Sequence, residues 1–229
     1  MSAVEILRIV PLFSELKDPV LENIAKLCQQ KVYQKDQVIL MEEDTGDSFF
    51  IIESGSVKVT RLSEDGREVI LSFLYEGDFF GELSILDGEK RSANVIALEK
   101  TLVYMIDRSD FLDLLERNPL ISIALLKELA NRLRRSDQHI EALSLSDAEG
   151  KIALVILRIA EEYGIHHRGC VTVNNLPLQQ DIANMAGTTR ETVSRMLKNL
   201  EKKHWIEREG HKLTINEYEK FKDSYLTKG

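Results

Sequence analysis

Residues 179–197 read Gln179-Gln180-Asp181-Ile182-Ala183-Asn184-Met185-Ala186-Gly187-Thr188-Thr189-Arg190-Glu191-Thr192-Val193-Ser194-Arg195-Met196-Leu197. This spacing predicts two helices joined by a tight turn. Ala183 is small, as required where two helices cross closely, and Gly187 follows where the turn needs a left-handed backbone. Val193 and Met196 supply the buried face of the second helix, and Thr189 can cap it. Arg190, Glu191, Ser194, Arg195 and Lys198 are left on the outer face. Their chemistry suits base edges in a major groove, because an Arg fork matches guanine O6 and N7 and a Glu accepts from cytosine N4. An ordinary pair of helices with a solvated, charged face has the same outline, so the flanking sequence has to decide.

Downstream, Trp205-Ile206-Glu207-Arg208-Glu209-Gly210-His211-Lys212-Leu213-Thr214-Ile215 reads as a hairpin with glycine at its tip, the wing of a winged helix. Charge points the same way. The chain of 229 residues has a net charge of -8, but residues 151–229 carry 13 Lys+Arg against 10 Asp+Glu, and the first 150 carry 17 against 28. The basic surplus sits wholly in the C-terminal third, where nucleic acid would be met.

Upstream, two patterns alternate. Residues 1–30 place Ile6, Val10, Phe13, Leu16, Val20, Ile24 and Leu27 at roughly helical spacing, and Pro11 and Pro19 divide them into short helices. From Lys31 to about Ile106 the period falls towards two. The runs 49–52, 56–60, 69–74, 93–97 and 102–106 are β-branched and aromatic, with turn signals at Gly55, Gly66 and Gly77, and they read as an all-β roll, barrel or sandwich. Within them lies Gly77-Asp78-Phe79-Phe80-Gly81-Glu82-Leu83-Ser84-Ile85-Leu86-Asp87-Gly88-Glu89-Lys90-Arg91-Ser92-Ala93. A short helical turn starting at Gly81 would aim free N–H groups at an anion, and Arg91 would add a forked contact to a phosphate. Glu82 only accepts hydrogen bonds at neutral pH, so it suits a ribose hydroxyl. A structural turn with a surface Arg–Glu pair is the plainer alternative.

Helical periodicity returns after Pro119. Leu126, Leu129, Leu133, Ser136, Ile140 and Leu143 follow alternating steps of three and four, the seam of a helix packed along a partner helix. A helix lying on its own β-roll would look similar over a few turns. Ser146-Asp147-Ala148-Glu149 fits the capping-box spacing with Ser146 as cap, so a domain boundary and hinge are expected at Leu145–Ser146.

Cys28 and Cys170 are single and far apart, which excludes a disulfide framework and suits a reducing cytoplasm. No basic start followed by a long apolar core suggests a secretory signal, and no apolar run is long enough for a bilayer. His139, His166, His167, His204 and His211 are scattered, with the 166–167 pair expected in a loop. No nucleophile–base set or metal-ligand spacing stands out, so neither an enzyme nor a metal site is expected.

The segments Phe80-Gly81-Glu82-Leu83 through Arg91-Ser92-Ala93 and Thr189-Arg190-Glu191-Thr192-Val193-Ser194-Arg195 carry a resemblance to the CRP/FNR family of bacterial transcription regulators, in particular its catabolite activator (cyclic-AMP receptor) branch. The likeness runs from about Phe13 to Ile215. It implies an α+β chain: a cyclic-nucleotide-binding β-roll with flanking helices over 1–118, a long dimerisation helix over 119–145, and a winged helix-turn-helix over 146–229. It also implies a cytoplasmic homodimer joined by the 119–145 helix, a palindromic double-stranded DNA operator, and a cyclic nucleotide, cyclic AMP, as allosteric effector. By the same likeness Gly81, Glu82, Arg91 and Ser92 contact ribose and phosphate, with Leu71, Leu83, Ser84 and Ala93 lining the site. Arg132 falls near the cassette Glu, and Ser136 falls where a hydroxyl meets the adenine. Arg190, Glu191 and Arg195 match the base-reading residues, beside Ser194 and Lys198, with Gln179, Gln180 and Thr189 near phosphates. Residues Tyr163–Gly169 lie where the family touches RNA polymerase. Asp137 departs from the pattern, standing where the cyclic-AMP branch has a small hydroxyl residue. A carboxylate accepts from an adenine or a guanine amino group, so cyclic GMP, cyclic di-GMP and ligand-independent action stay open. A cyclic-nucleotide-binding regulatory subunit would share the roll but would not need Arg190, Glu191 and Arg195.

Overall fold

The computed structural model describes residues 2–145 and 147–226, the side chains of 139, 142, 143, 145 and 226 excepted. The backbone divides into two compact units, 1–134 and 135–229. In the first, α1 (Ala3–Ile9) opens on a capping box in which Ser2 accepts from the Glu5 N–H and Glu5 accepts from the Ser2 N–H. The chain breaks after it at Pro11, and α2 (Asp18–Leu27) has Pro19 in its first turn, so the prolines divide this stretch as expected.

Two four-stranded antiparallel sheets follow. One has the order β1 (Gln29–Tyr33), β8 (Thr101–Asp107), β3 (Ser48–Ser54), β6 (Phe79–Phe80). The other has the order β2 (Val38–Leu40), β7 (Asn94–Ala97), β4 (Val57–Leu62), β5 (Glu68–Leu74). The five strand runs expected from sequence are β3, β4, β5, β7 and β8. The strands without an expected run, β1, β2 and β6, are all sheet edges, where one side lacks a neighbour and the apolar alternation weakens.

Strand β3 is covered on both faces, and its period of two divides the core. Phe49 and Ile51 join Phe13, Phe79, Phe111, Ile121 and Leu125 under the helices, while Phe50 and Ile52 join Val57, Phe80, Val95 and Val103 inside the roll. Phe49 is fully buried and stacks on Phe111 with ring centroids 4.1 Å apart.

A five-residue α3 (Leu83–Asp87) lies between β6 and β7. After β8 come α4 (Arg108–Arg117) and α5 (Pro119–Leu145). In helix α5 one member of the expected seam also meets the chain's own roll. Ile121 and Leu125 are buried in the unit's own core, and Leu129 is partly buried against it. Leu126, Leu133 and Ile140, seven residues apart, are 62–66% exposed. Ser136 is exposed too, and the Leu143 side chain lies outside the described residues.

The second unit continues with α6 (Ala148–Tyr163), β9 (Ile165–His167), β10 (Cys170–Val173), α7 (Gln179–Ala186), α8 (Arg190–Lys202), β11 (Ile206–Glu209), β12 (Lys212–Ile215) and α9 (Tyr218–Leu226). Ser146 lies outside the described residues. The cap of α6 is Asp147, whose Oδ1 accepts from the Gly150 N–H at 2.8 Å, which makes Glu149 the second helical residue. The His166–His167 pair is on a strand and not in a loop: β9 and β10 form a hairpin turned at Arg168–Gly169, and β10 is held on its other side by β12. The wing is the β11–β12 hairpin, in which Glu209 pairs with Lys212 around Gly210-His211.

Phe49→Ala should destabilise the N-terminal unit by about 3–5 kcal/mol, since it deletes a fully buried ring from both a stack and a strand. Urea denaturation followed by circular dichroism measures this. A loss under 1 kcal/mol would mean that the core collapses into the vacated space, roughly the cost of a mild core trim.

Candidate functional site

The first site is built around Arg91, which is only 4% exposed. Strand β6 ends at Gly81, whose φ of +85° is left-handed, and a Cβ there would sit 2.9 Å from both Arg91 Nη1 and the Ser48 carbonyl oxygen. This conformation also explains why α3 starts at Leu83 and not at Gly81 as expected: a left-handed residue cannot be part of a right-handed helix. Arg91 Nη1 donates to the Gly81 carbonyl at 2.7 Å and to Ser84 Oγ at 2.8 Å, and Nη2 donates to the Ser48 carbonyl at 2.7 Å. Nε is buried with no partner among the described residues. Backbone bonds tie Arg91 to the loop before β3, its N–H to the Asp44 carbonyl and its carbonyl to the Glu43 N–H. In that loop a Cβ on Gly46 would come within 2.3 Å of Ser84 Oγ. Burial lowers the pKa of the guanidinium, and Asp47, Glu82 and Asp44 oppose that shift. A buried cation with an unused N–H is chemically suited to an anion.

Glu82, 3% exposed, immediately precedes α3 and makes no side-chain capping bond to it. Its Oε1 accepts from Arg132 Nη1 at 3.1 Å, and Arg132 Nη2 donates to the Phe79 carbonyl at 3.0 Å, with the guanidinium 4.4 Å from the centre of the Phe79 ring. Burial pushes the Glu82 carboxyl above its usual range and the Arg132 charge pulls it back. Of the other expected ligand residues, Ser84 and Ala93 are buried, with the Ser84 hydroxyl spent on Arg91, while Leu83, Ser92 and Leu71 are exposed. Ser136 and Asp137 belong to the 135–229 unit and are exposed.

The second site is in that unit. Helix α7 ends at Gly187, with φ +59° and ψ 40°, and the Thr188 N–H returns to the Ala183 carbonyl. Thr189 caps α8 by accepting from the Thr192 N–H, and Ala183, Val193, Met196 and Leu197 are buried. The opposite face of α8 borders a groove of about 700 Å³ lined by Gln179, Arg190, Glu191, Ser194, Arg195 and Lys198, together with Glu149, Asn199 and Lys202. The Glu191 N–H and the Thr189 hydroxyl hold the Glu191 carboxyl below its usual range. Gln180, whose amide donates to Asn184 Oδ1, and Thr189 are not among the lining residues.

Three lining residues were missed in the sequence. Asn199 and Lys202 follow Arg195 at helical spacing, so extending the outer face by one turn would have found them. Glu149 comes from a different element and has no local signal.

No group of His, Cys, Asp or Glu able to hold a metal occurs among the described residues, and no described helix is long and apolar enough to cross a membrane. A cationic cassette on a β-roll, joined in one chain to a winged helix-turn-helix, is the layout of a DNA-binding regulator. The cyclic nucleotide-binding domain profile matches residues 30–118, and the Crp-like helix-turn-helix domain profile matches residues 150–224. The chain is 31% identical to the CRP-like cAMP-activated global transcriptional regulator of Mycobacterium tuberculosis, over 94% of this chain and 96% of that protein. It is 32% identical to the cyclic AMP receptor protein of Thermus thermophilus, over 82% and 83% of the two chains. Among solved structures, the Thermus thermophilus catabolite activator protein matches at 28% identity and a TM-score of 0.55, over 96% of this chain and 100% of that one. FixK2 from Bradyrhizobium japonicum shares the fold, with a TM-score of 0.76 at 24% identity over 86% and 96%. The chain belongs to the CRP/FNR family of transcription regulators. It is a DNA-binding regulator with a cyclic nucleotide-binding domain, and not an enzyme.

Arg132→Ala should cost the N-terminal unit about 1–3 kcal/mol at neutral pH, because Glu82 stays buried without its counter-charge. The folded pKa of Glu82 then rises further while the unfolded value is unchanged. The deficit against wild type is therefore smallest at low pH, where the carboxyl is protonated in both proteins, and grows as pH rises above the carboxylate range. Urea unfolding at acid and neutral pH tests this. An equal deficit at both would mean that packing over Phe79, and not charge, is what Arg132 supplies.

Proposed function

We propose that the protein is a cytoplasmic homodimer whose binding to a palindromic operator is gated by cyclic AMP held in the N-terminal roll. The observation that carries this reading is Arg91: a buried guanidinium, fastened on one side, with Nε–H unused. One phosphate oxygen accepting from Nε would satisfy the orphaned donor and neutralise the charge, and Glu82 can accept from ribose hydroxyls. The relatives named as cAMP-activated support cyclic AMP as the effector. Residues 1–118 would be the sensor, 119–145 the dimerisation helix and 146–229 the DNA-binding domain. Leu126, Leu133 and Ile140 support dimerisation through α5, because their seven-residue spacing is that of a two-helix seam and leaving them in water is unfavourable. A ribose that engages Glu82 competes with Arg132 of α5, which connects ligand binding to the dimer helix. Residues Tyr163–Gly169, which include β9 and the turn into β10, are the proposed contact for RNA polymerase.

At the operator, Arg190, Glu191 and Arg195 read bases, while Gln179, Gln180, Thr189 and Lys198 hold the backbone. A two-fold dimer then reads two half-sites about one helical turn apart, the arrangement that helix-turn-helix activators of this family exemplify.

Two measurements test the proposal. Calorimetry with cyclic AMP, cyclic GMP and cyclic di-GMP should show binding of the first. Arg91→Ala should lose roughly 2–5 kcal/mol of that affinity, as when one side of a buried charge pair is removed. Arg91→Lys should recover only part, because an ammonium does not reproduce the fork. Unchanged affinity for Arg91→Ala, or binding of another nucleotide alone, overturns the assignment. Separately, with duplex DNA selected from a random pool, Arg195→Ala should lose about 1–3 kcal/mol and relax one base pair, whereas Lys198→Ala should weaken all sequences alike. Equal losses for both variants on selected and scrambled DNA would remove Arg195 from the base-reading set.

A further inference from the structure

The groove along α8 contains a carboxylate that does not come from the helix-turn-helix. Glu149, in the first turn of α6, lines it beside Arg190, Arg195, Lys198 and Lys202. Its side chain is exposed and, among the described residues, has no hydrogen-bond or ion-pair partner. The four cations likewise form no ion pair with it. Its local role is at the start of α6, where an acidic residue in the first turn favours the helix.

Its position matters because of what the start of a helix usually offers. The first turn of a 16-residue helix presents unpaired N–H groups and the positive end of the dipole, which attract phosphate. Here Asp147 already takes the Gly150 N–H at 2.8 Å, and Glu149 adds a second negative charge facing the groove. An edge that would attract the DNA backbone instead opposes it.

Resting on the reading of this groove as the DNA-facing surface, we propose that Glu149 is a negative determinant of DNA affinity. It repels the phosphates flanking the recognition helix and offsets part of the attraction from Lys198 and Lys202. A charge that faces phosphates and not bases acts on every sequence alike, so it lowers affinity without altering preference. For a gated regulator this keeps occupancy low until the base contacts are made.

The test is Glu149→Gln in the full-length protein, which removes the charge, keeps the size and leaves the Asp147 cap untouched. Binding to labelled duplexes, one selected and one scrambled, is followed by fluorescence anisotropy with excess cyclic AMP and without it, over a salt series. At low salt, affinity should rise about two- to tenfold, the range for one unit charge near a surface. The gain should be equal on both duplexes and shrink as salt rises. The plot of log affinity against log salt should steepen by up to about 0.9 per recognition helix, the value for one more neutralised phosphate. Glu149→Lys should go further in the same direction. Four outcomes overturn the proposal: no change, a loss of affinity, a gain on the selected duplex alone, or a gain independent of salt. The third would mean that the carboxylate acts against particular bases and not against phosphates, and the fourth would mean a conformational shift of α6. If wild type bound neither duplex at low salt, the assignment of the groove to DNA would fall, and this inference with it.

Discussion

Arg91 is a permanent cation with 4% of its surface in contact with solvent, inside a roll whose interior is Phe, Val and Ile. Isolated burial of such a charge is prohibitive, of the order of 20 kcal/mol in an idealised low-dielectric medium and still several after relaxation. The roll meets that cost with oxygens: two backbone carbonyls, from Gly81 and Ser48, and one hydroxyl, from Ser84. Each of these constrains the chain around it. Gly81 must be a glycine in a left-handed turn to bring its carbonyl that close. Ser84 must be on the inward face of α3, and the loop at Gly46 must approach without a side chain. The strand pair β3–β6, the short helix α3 and the loop before β3 thus hold one another through a single guanidinium.

Helix α5 meets this arrangement through Arg132, which is shared among Glu82, the Phe79 carbonyl and the face of the Phe79 ring. The helix has two kinds of apolar residue. Ile121, Leu125 and Leu129 complete the core of the N-terminal unit, and Leu126, Leu133 and Ile140 do not. An exposed leucine taken singly is ordinary, but three at heptad spacing form a stripe that buries little of itself within one chain. The ion pair at Arg132 lies on the same helix. That ion pair ties the cassette to the helix that displays the stripe.

In the second unit the division of labour follows the faces of α8. Val193, Met196, Leu197 and Leu200 are packed, and Glu201 at the end of the helix holds Arg208 of the wing. Arg190, Arg195 and Lys198 are free to be chosen for what they meet outside. Glu149 reaches the same groove from the start of α6, which makes the electrostatics of the groove a property of the packed domain and not of α8 alone.

Much of this was legible in the sequence. The period-two runs located the five strands with a neighbour on both sides or a long partner, Pro11 and Pro19 separated the first helices, and Gly187 with Thr189 marked the turn into α8. These features were readable because glycine, proline and cap residues act through their immediate neighbours. The cassette from Gly81 to Arg91 was readable as a spacing, although nothing local said that Arg91 would be buried or that Ser84 would face it. Edge strands β1, β2 and β6 escaped because a half-paired strand needs no strict alternation. The packing of Leu129 against the roll was not legible, because a step of three or four fits both a partner helix and the chain's own core, and only the neighbourhood of Ile121 and Leu125 reveals the contact. His166 and His167 became strand residues through the β10 hairpin and its pairing to β12, a long-range contact. Composition and local spacing determined which elements form and which side chains they offer. The tertiary structure alone decided burial, and with it which charge had to be paired, which stripe stayed exposed and which carboxylate came to face the recognition helix, because those outcomes depend on residues far apart in the chain.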